Sequence, residues 1–285
     1  MDEYRSASLK AWSTVAPDWA QLSDRIDRQL GPAAHWIIDA LALQPGESVL
    51  ELAGGSGTLS IMAARAVGPS GSVLFSDFAE PMVEAARERL SAEGLTWVDC
   101  RRIDAEAIEL PDDSLDAVAC RMGYMLMAEP AVALRETARV LKGGGRLALA
   151  VWGDRASNPW AALPIREIAA HLSLPTPPPD APGLWSLSEE SRLREVLDGA
   201  DFVSVEIEAV DGTSEFDSAD HWIEMTRRLA GPLRVLWEGL DEPTRAEVEQ
   251  LIRDAAAPYE GADGRVSLPE RMLAASALAP PAGTR

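Results

Sequence analysis

From Ser48 onward the chain alternates short β-branched runs with longer helical patterns. That alternation admits little besides a parallel sheet covered by helices on both faces, a doubly wound α/β unit. The periodicity predicts a first strand at Ser48–Leu52, a helix from Thr58 to Val67 and a second strand at Ser72–Ser76. A helix follows from Pro81 to Glu93, with proline in its first turn and Gly94 as its stop. Trp97–Ile103 reads as a third strand, Leu115–Cys120 as a fourth, and Ala131–Leu141 as a helix halted by the glycines at 143–145. Arg146–Trp152 reads as the fifth strand.

On either side of this unit the pattern changes. Residues 1–44 carry Trp12, Trp19 and Trp36 at helical spacing, which predicts a pair of helices packed on the sheet or covering a ligand site. A helix from Trp160 to Leu172 leads into the proline-rich connector Pro175–Pro182, which cannot be helical. A helix at Ser188–Leu197 and a half-buried strand at Phe202–Val210 come next. Residues 211–265 read as a largely helical insertion, and Arg271–Ala277 as a last strand or a short helix. The expected division is therefore an extension (1–44), a core (45–210 with 266–285) and the insertion.

Composition removes several function classes. At 285 residues and 47% hydrophobic the chain buries a core without staples. Its net charge of -20 repels nucleic acid and anionic membranes and favours neutral or cationic partners. A start without a basic, then apolar, segment and the lack of a long apolar run predict a cytoplasmic protein with no membrane span. Cys100 and Cys120 sit in apolar, strand-like surroundings and read as buried thiols, so no metal site is expected.

Glu51-Leu-Ala-Gly-Gly-Ser-Gly57 lies between the first strand and its helix, where glycines let the backbone turn and approach a ligand. A nicotinamide dinucleotide uses a similar turn. Here, however, Ser60 takes the third glycine position and Glu51 sets a carboxylate where a pyrophosphate would lie, which repels an anion and attracts an ammonium group. Asp77 ends the second strand, placed to accept from both hydroxyls of a ribose, and Asp104 ends the third. Three acids at three successive strand ends imply a cationic nucleoside ligand without phosphate.

Five stretches occur in a characteristic order: Val49–Gly57, Ser76–Met82, Asp104–Glu106, Pro111–Asp116 and Arg139–Gly145. In these the chain resembles the class I S-adenosylmethionine-dependent methyltransferases, in the branch of the ubiquinone/menaquinone-biosynthesis methyltransferases. The resemblance covers about residues 45 to 153. It implies a Rossmann-like, seven-stranded sheet whose last strand runs antiparallel between strands five and six. It also implies S-adenosyl-L-methionine as cofactor, with S-adenosyl-L-homocysteine as product. By the same resemblance Glu51 sits near the methionyl amine, Ala53, Gly55 and Gly57 line the loop, and Asp77 holds the ribose. Phe78 and Met82 pack on the adenine, Asp104 accepts from its amino group, and Ala105 meets its ring. Arg121 and Met122 flank the methionyl portion. The chain departs from the family pattern at Ala53, Gly54 and Asp201.

Methyl transfer leaves no obligatory side chain to find, because the sulfonium carries an activated methyl group. If a general base is used, His221 and His35 are the first candidates and His171, which closes a helix, the last. Tyr124 and Trp222 are candidates for the acceptor side. The acceptor is expected to be a small, mainly apolar molecule. The alternatives are an enzyme that keeps the cofactor as a scaffold for a cyclisation and a nicotinamide-dependent oxidoreductase. The apolar face from Trp222 to Trp237 predicts either a lid over the acceptor or a homodimer interface. Three substitution effects follow: Asp77→Asn should be milder than Asp77→Ala, Glu51→Lys should abolish cofactor binding in a folded protein, and a hairpin in place of residues 213–262 should spare cofactor affinity.

Overall fold

The structure is a computed structural model that describes residues 2–175, 177–178 and 181–281. Seven strands form one sheet in the order β3-β2-β1-β4-β5-β7-β6. The central four, β1 (Ser48–Glu51), β2 (Ser72–Asp77), β3 (Asp99–Arg102) and β4 (Leu115–Arg121), are parallel, as is β5 (Leu141–Trp152) to β4. The last strand, β7 (Val266–Leu278), runs antiparallel between β5 and β6 (Val203–Phe216). Arg271–Ala277 is thus strand, and the carboxyl ends of β1 to β6 share one edge.

Helices cover the sheet because each crossover between parallel strands must return over a face. These are α4 (Thr58–Val67), α5 (Glu80–Ala92), α6 (Pro130–Val140), α7 (Pro159–His171) and α8 (Glu190–Asp198). Before the sheet stand three helices rather than a pair, α1 (Asp2–Gln21), α2 (Ser23–Gln29) and α3 (Gly31–Leu41); Gly31-Pro32 breaks the expected second helix. Between β6 and β7 lie α9 (Ala219–Leu229), α10 (Gly231–Glu238) and α11 (Glu242–Ala256).

Three boundaries differ from the sequence pattern for local reasons. Trp97 and Val98 precede β3, because the Val98 N–H closes a turn onto the Leu95 carbonyl at 3.1 Å. The glycines at 143–145 lie inside β5, where the register jumps from Leu115↔Leu141 to Ala117↔Arg146 and the surplus residues bulge out. β6 runs on to Phe216, since its ladder with β7 continues to Phe216↔Val266; the insertion is therefore residues 217–265. In the connector 175–182, Thr176, Pro179 and Asp180 fall outside the described residues, as do residues 282–285 of the expected core.

Two hydrophobic cores meet at this edge. The larger lies between the sheet and α3 to α6, with Leu50, Leu59, Phe75 and Cys120 at its centre; burial pushes the Cys120 thiol up to about 12. The smaller joins Trp222, Trp237, Val248 and Ile252 of the insertion to Ile168 of α7 and to Val266 and Leu268 of β7. Of the face from Trp222 to Trp237, Trp222, Ile223, Met225, Leu233 and Trp237 are buried inside the chain, while Leu236 stays exposed.

Candidate functional site

One cavity opens at the carboxyl edge of the sheet, lined from α1, α2, α7, α9 and the ends of all the strands up to β6. Its first half is set by the turns after β1, β2, β3 and β4. The Gly54 N–H donates to the Ser76 carbonyl at 2.9 Å, tying the glycine loop to β2. Asp77 receives the Gly55 N–H at 3.0 Å on one carboxylate oxygen and the Ala79 N–H at 2.9 Å on the other. Burial raises its carboxyl, against the opposing pull of these two bonds. Gly55, at φ +52, lies under the Trp19 ring, and a Cβ there would come within 2.8 Å of it. Ala53 and Met122 hold positive φ of 50 and 62, strain of the kind that gathers at ligand sites. A Cβ on Gly123 would meet Ala53 at 2.7 Å, so glycine is what lets the β1 and β4 turns touch.

Of the residues singled out from the sequence, Ala53, Gly55, Asp77, Phe78, Met82, Asp104, Ala105, Arg121 and Met122 all lie on the cavity wall. Glu51 and Gly57 do not. Glu51 is buried and turned beneath the first turn of α4, where it accepts from the Ser60 N–H at 2.8 Å and from the Ser60 hydroxyl. Burial pushes its carboxyl up to about 7, opposed by Ser60 and by Arg121. Its carboxylate caps the helix. Gly57, at φ +77, begins that helix.

The acceptor-side and base candidates are not brought to the cavity. Tyr124 is fully buried and its hydroxyl pairs with Thr137 at 2.7 Å. Trp222 packs in the smaller core and donates its indole N–H to the Trp160 carbonyl at 2.9 Å. His221 accepts the Asp217 N–H on Nδ1 at 3.1 Å, edge-on behind Phe216. His35 is exposed on α3, its Nδ1 2.8 Å from the Gly31 carbonyl oxygen. Among the described residues no histidine lines the cavity.

Helix α1 closes the cavity from above, which its tryptophans hinted at but could not place. Arg5 forms ion pairs with Asp104 and Glu106, and the Tyr4 hydroxyl donates to the Leu126 carbonyl at 2.8 Å. The Trp19 indole N–H reaches the Leu229 carbonyl of the insertion at 2.9 Å. Asp18 pairs with Arg228 and Arg234 of the same insertion, both at 2.8 Å. The second half of the cavity is mostly apolar: Trp152, Trp160, Phe216, Met225 and Leu229, with Arg25 and Gln29 of α2.

Residues 19–156 match the profile of the ubiE/COQ5 methyltransferase family. The matched stretch is just under half of the chain. A ubiquinone/menaquinone biosynthesis C-methyltransferase of Hahella chejuensis is 34% identical over 161 residues, 55% of this chain and 64% of that protein. The chain thus spans less than two thirds of the length of that curated relative. Among solved structures, the YcgJ protein of Bacillus subtilis superposes with TM-score 0.59 at 18% identity, over 87% of this chain and 98% of its own. The [4+2]-cyclase SpnF does so with TM-score 0.53 at 20% identity, over 87% and 79%. These two likenesses are likenesses of fold. The first half of the cavity fits S-adenosyl-L-methionine in donor set: glycines in the loop and two carboxylates at the β2 and β3 ends.

Proposed function

We propose that the chain is a methyltransferase that transfers the methyl group of S-adenosyl-L-methionine to a small, mainly apolar acceptor by in-line displacement. What carries the reading is the continuity of one cavity, from the acid-and-glycine turns at β1 to β4 into the aromatic chamber at β5 to β6. Bound at the first half, the cofactor supplies an activated methyl on a sulfonium. Asp77 holds the ribose hydroxyls with the lone pairs its two N–H bonds leave free. Asp104 receives the adenine amino group, which requires Arg5 to release it. Met82 and Phe78 flank the ring, and α1 with Trp19 keeps water from the reacting centre. No helix is long and apolar enough to cross a membrane among the described residues.

The test is binding and turnover together. S-adenosyl-L-homocysteine should raise the melting temperature and NAD should not; incubation with an acceptor extract should yield a methylated product and one homocysteine nucleoside for each. A cyclase would change its acceptor while consuming no S-adenosyl-L-methionine. That result, or stabilisation by NAD alone, would overturn the reading.

Asp77→Ala is expected to weaken cofactor binding by roughly 1.5 to 3 kcal/mol through lost charge-assisted bonds. Asp77→Asn is expected to match it, contrary to the milder effect its sequence position suggests. Both Asp77 oxygens accept a backbone N–H, so an amide NH₂ must face either Gly55 or Ala79 donor to donor. Calorimetry with S-adenosyl-L-homocysteine decides; an asparagine variant binding like wild type would show that the loop can turn aside.

A further inference from the structure

We infer that the acceptor carries an oxyanion, and that Arg25 is the residue that selects it. The inference rests on the methyltransferase reading and narrows its substrate class from a small apolar molecule to an apolar body bearing a carboxylate or phenolate.

Arg25 lines the apolar half of the cavity. Its guanidinium carbon lies 4.6 Å from the Phe216 ring centroid, and one terminal nitrogen donates to the Glu215 carbonyl at 2.9 Å. Its Nε–H has no acceptor. Among the described residues no carboxylate lies within ion-pair distance of Arg25, in a chain with a net charge of -20. Of the other two arginines on the wall, Arg5 is matched by Asp104 and Glu106, and Arg121 donates to the Thr58 hydroxyl and the Leu30 carbonyl and feels the charge of Glu51. A planar cation stacked on an aromatic ring at the wall of an apolar chamber, with its Nε–H unspent, suits a planar oxyanion better than any neutral group.

Two acids act on it without pairing with it: Asp217, which pairs with Arg265 at 3.0 Å, and Glu270. Glu270 of β7 is buried at the seam of the two cores, where it accepts from Gln29 and Ser214 through the same oxygen while the other oxygen has no partner. Burial pushes its carboxyl up to about 7, so a sizeable share of it is uncharged near neutrality. Glu270 and Gln29 buttress the α2 face that carries Arg25 without supplying a full counter-charge.

Position separates Arg25 from the cofactor. The cofactor turns follow β1 to β4, whereas Phe216 ends β6, three strand spacings beyond β4 in the sheet order. At about 4.8 Å per spacing this is roughly 14 Å. A carboxylate of the cofactor would fall to Arg121, which is buried at the end of β4 and donates to the Thr58 hydroxyl at 3.1 Å. Arg25 is left for the acceptor.

The experiment titrates the full chain, saturated with S-adenosyl-L-homocysteine, with three matched probes: 2-naphthoate, 2-naphthol taken through its ionisation, and neutral 2-naphthamide. Wild type should bind naphthoate, or ionised naphthol, at least about tenfold more tightly than the amide, a difference of about 1.4 kcal/mol. Arg25→Gln should erase the preference and Arg25→Lys should keep part of it, with S-adenosyl-L-homocysteine affinity in both within about twofold of wild type. The naphthoate and naphthol arms say which oxyanion is meant. Equal binding of all three probes by wild type, binding of none, or a preference that survives Arg25→Gln overturns the inference. Failure of wild type to bind S-adenosyl-L-homocysteine overturns the methyltransferase reading instead.

Discussion

Glu51→Lys is expected to unfold the protein, not to yield a folded chain that has lost its cofactor. From the sequence alone the substitution looks like a local charge reversal at a ligand. In the structure Glu51 is 2% exposed and lies under the N-terminus of α4, with the Ser60 N–H and hydroxyl on its carboxylate. A lysine there puts a cation against unsatisfied helix N–H groups and near the buried Arg121, and leaves Ser60 without its acceptor. Breaking a buried charged network costs about 3 to 5 kcal/mol before the added repulsion. That is a large part of the 5 to 15 kcal/mol that holds a typical domain together. The expected result is loss of the cooperative melting transition; a variant that melts like wild type yet fails to bind cofactor would return Glu51 to the ligand.

Glu51→Gln separates charge from shape. Gln keeps an oxygen for the Ser60 N–H but cannot ionise. Because the folded-state carboxyl is raised to about 7 from an ordinary 4.5, the folded chain holds a proton that the unfolded chain releases between these values. Stability from this group is present below the lower value and lost as pH rises through the upper one. The Gln variant should therefore gain on wild type from about pH 5 to about pH 8, by up to about 3 kcal/mol in denaturant unfolding. A difference that stays flat across this window would mean that Glu51 is not buried as an acid.

Glu51 also shows where sequence reasoning reaches its limit. The glycine loop, the strand-end acids and the alternation of strand and helix are local signals, and β1, α4, β2, α5 and β4 lie within a few residues of where the pattern places them. Whether an acid at a strand end faces outward to a ligand or inward to a helix is decided by a single side-chain turn, which residue spacing does not encode. The same holds for the apolar half of the cavity. Arg25 meets Glu215 across 190 residues, and Trp19 meets Leu229 across 210. Neither partner carries a motif; the pairs exist because β6 runs on to Phe216 and brings the insertion back over α1 and α2. Tyr124 and Trp222 lie buried off the cavity wall for the converse reason. Their polar atoms are satisfied by Thr137 and by the Trp160 carbonyl, so a core can take them whole.

Excising residues 217–265 and joining β6 to β7 by a short Gly/Ser turn is expected to abolish binding of 2-naphthoate and also to weaken S-adenosyl-L-homocysteine by about tenfold, about 1.4 kcal/mol. The first loss follows from the wall that goes with the insertion: Met225, Thr226, Leu229 and Ala230. The second was not to be expected of a detachable lid. The insertion also tethers α1, by the Leu229 carbonyl under Trp19 and by Arg228 and Arg234 on Asp18. Without these, α1 keeps its packing on α5, where Val15 and Ala16 meet Ala79 and Met82, but loses the anchor at its far end. Trp19 then no longer holds its place over Gly55. Cofactor binding by the shortened chain doubles as proof that it folds. If cofactor affinity stays within about threefold while naphthoate binding is lost, the insertion is a lid over the acceptor alone and the coupling through α1 is wrong. If naphthoate still binds, the acceptor lies elsewhere and the aromatic chamber is only the seam between two cores.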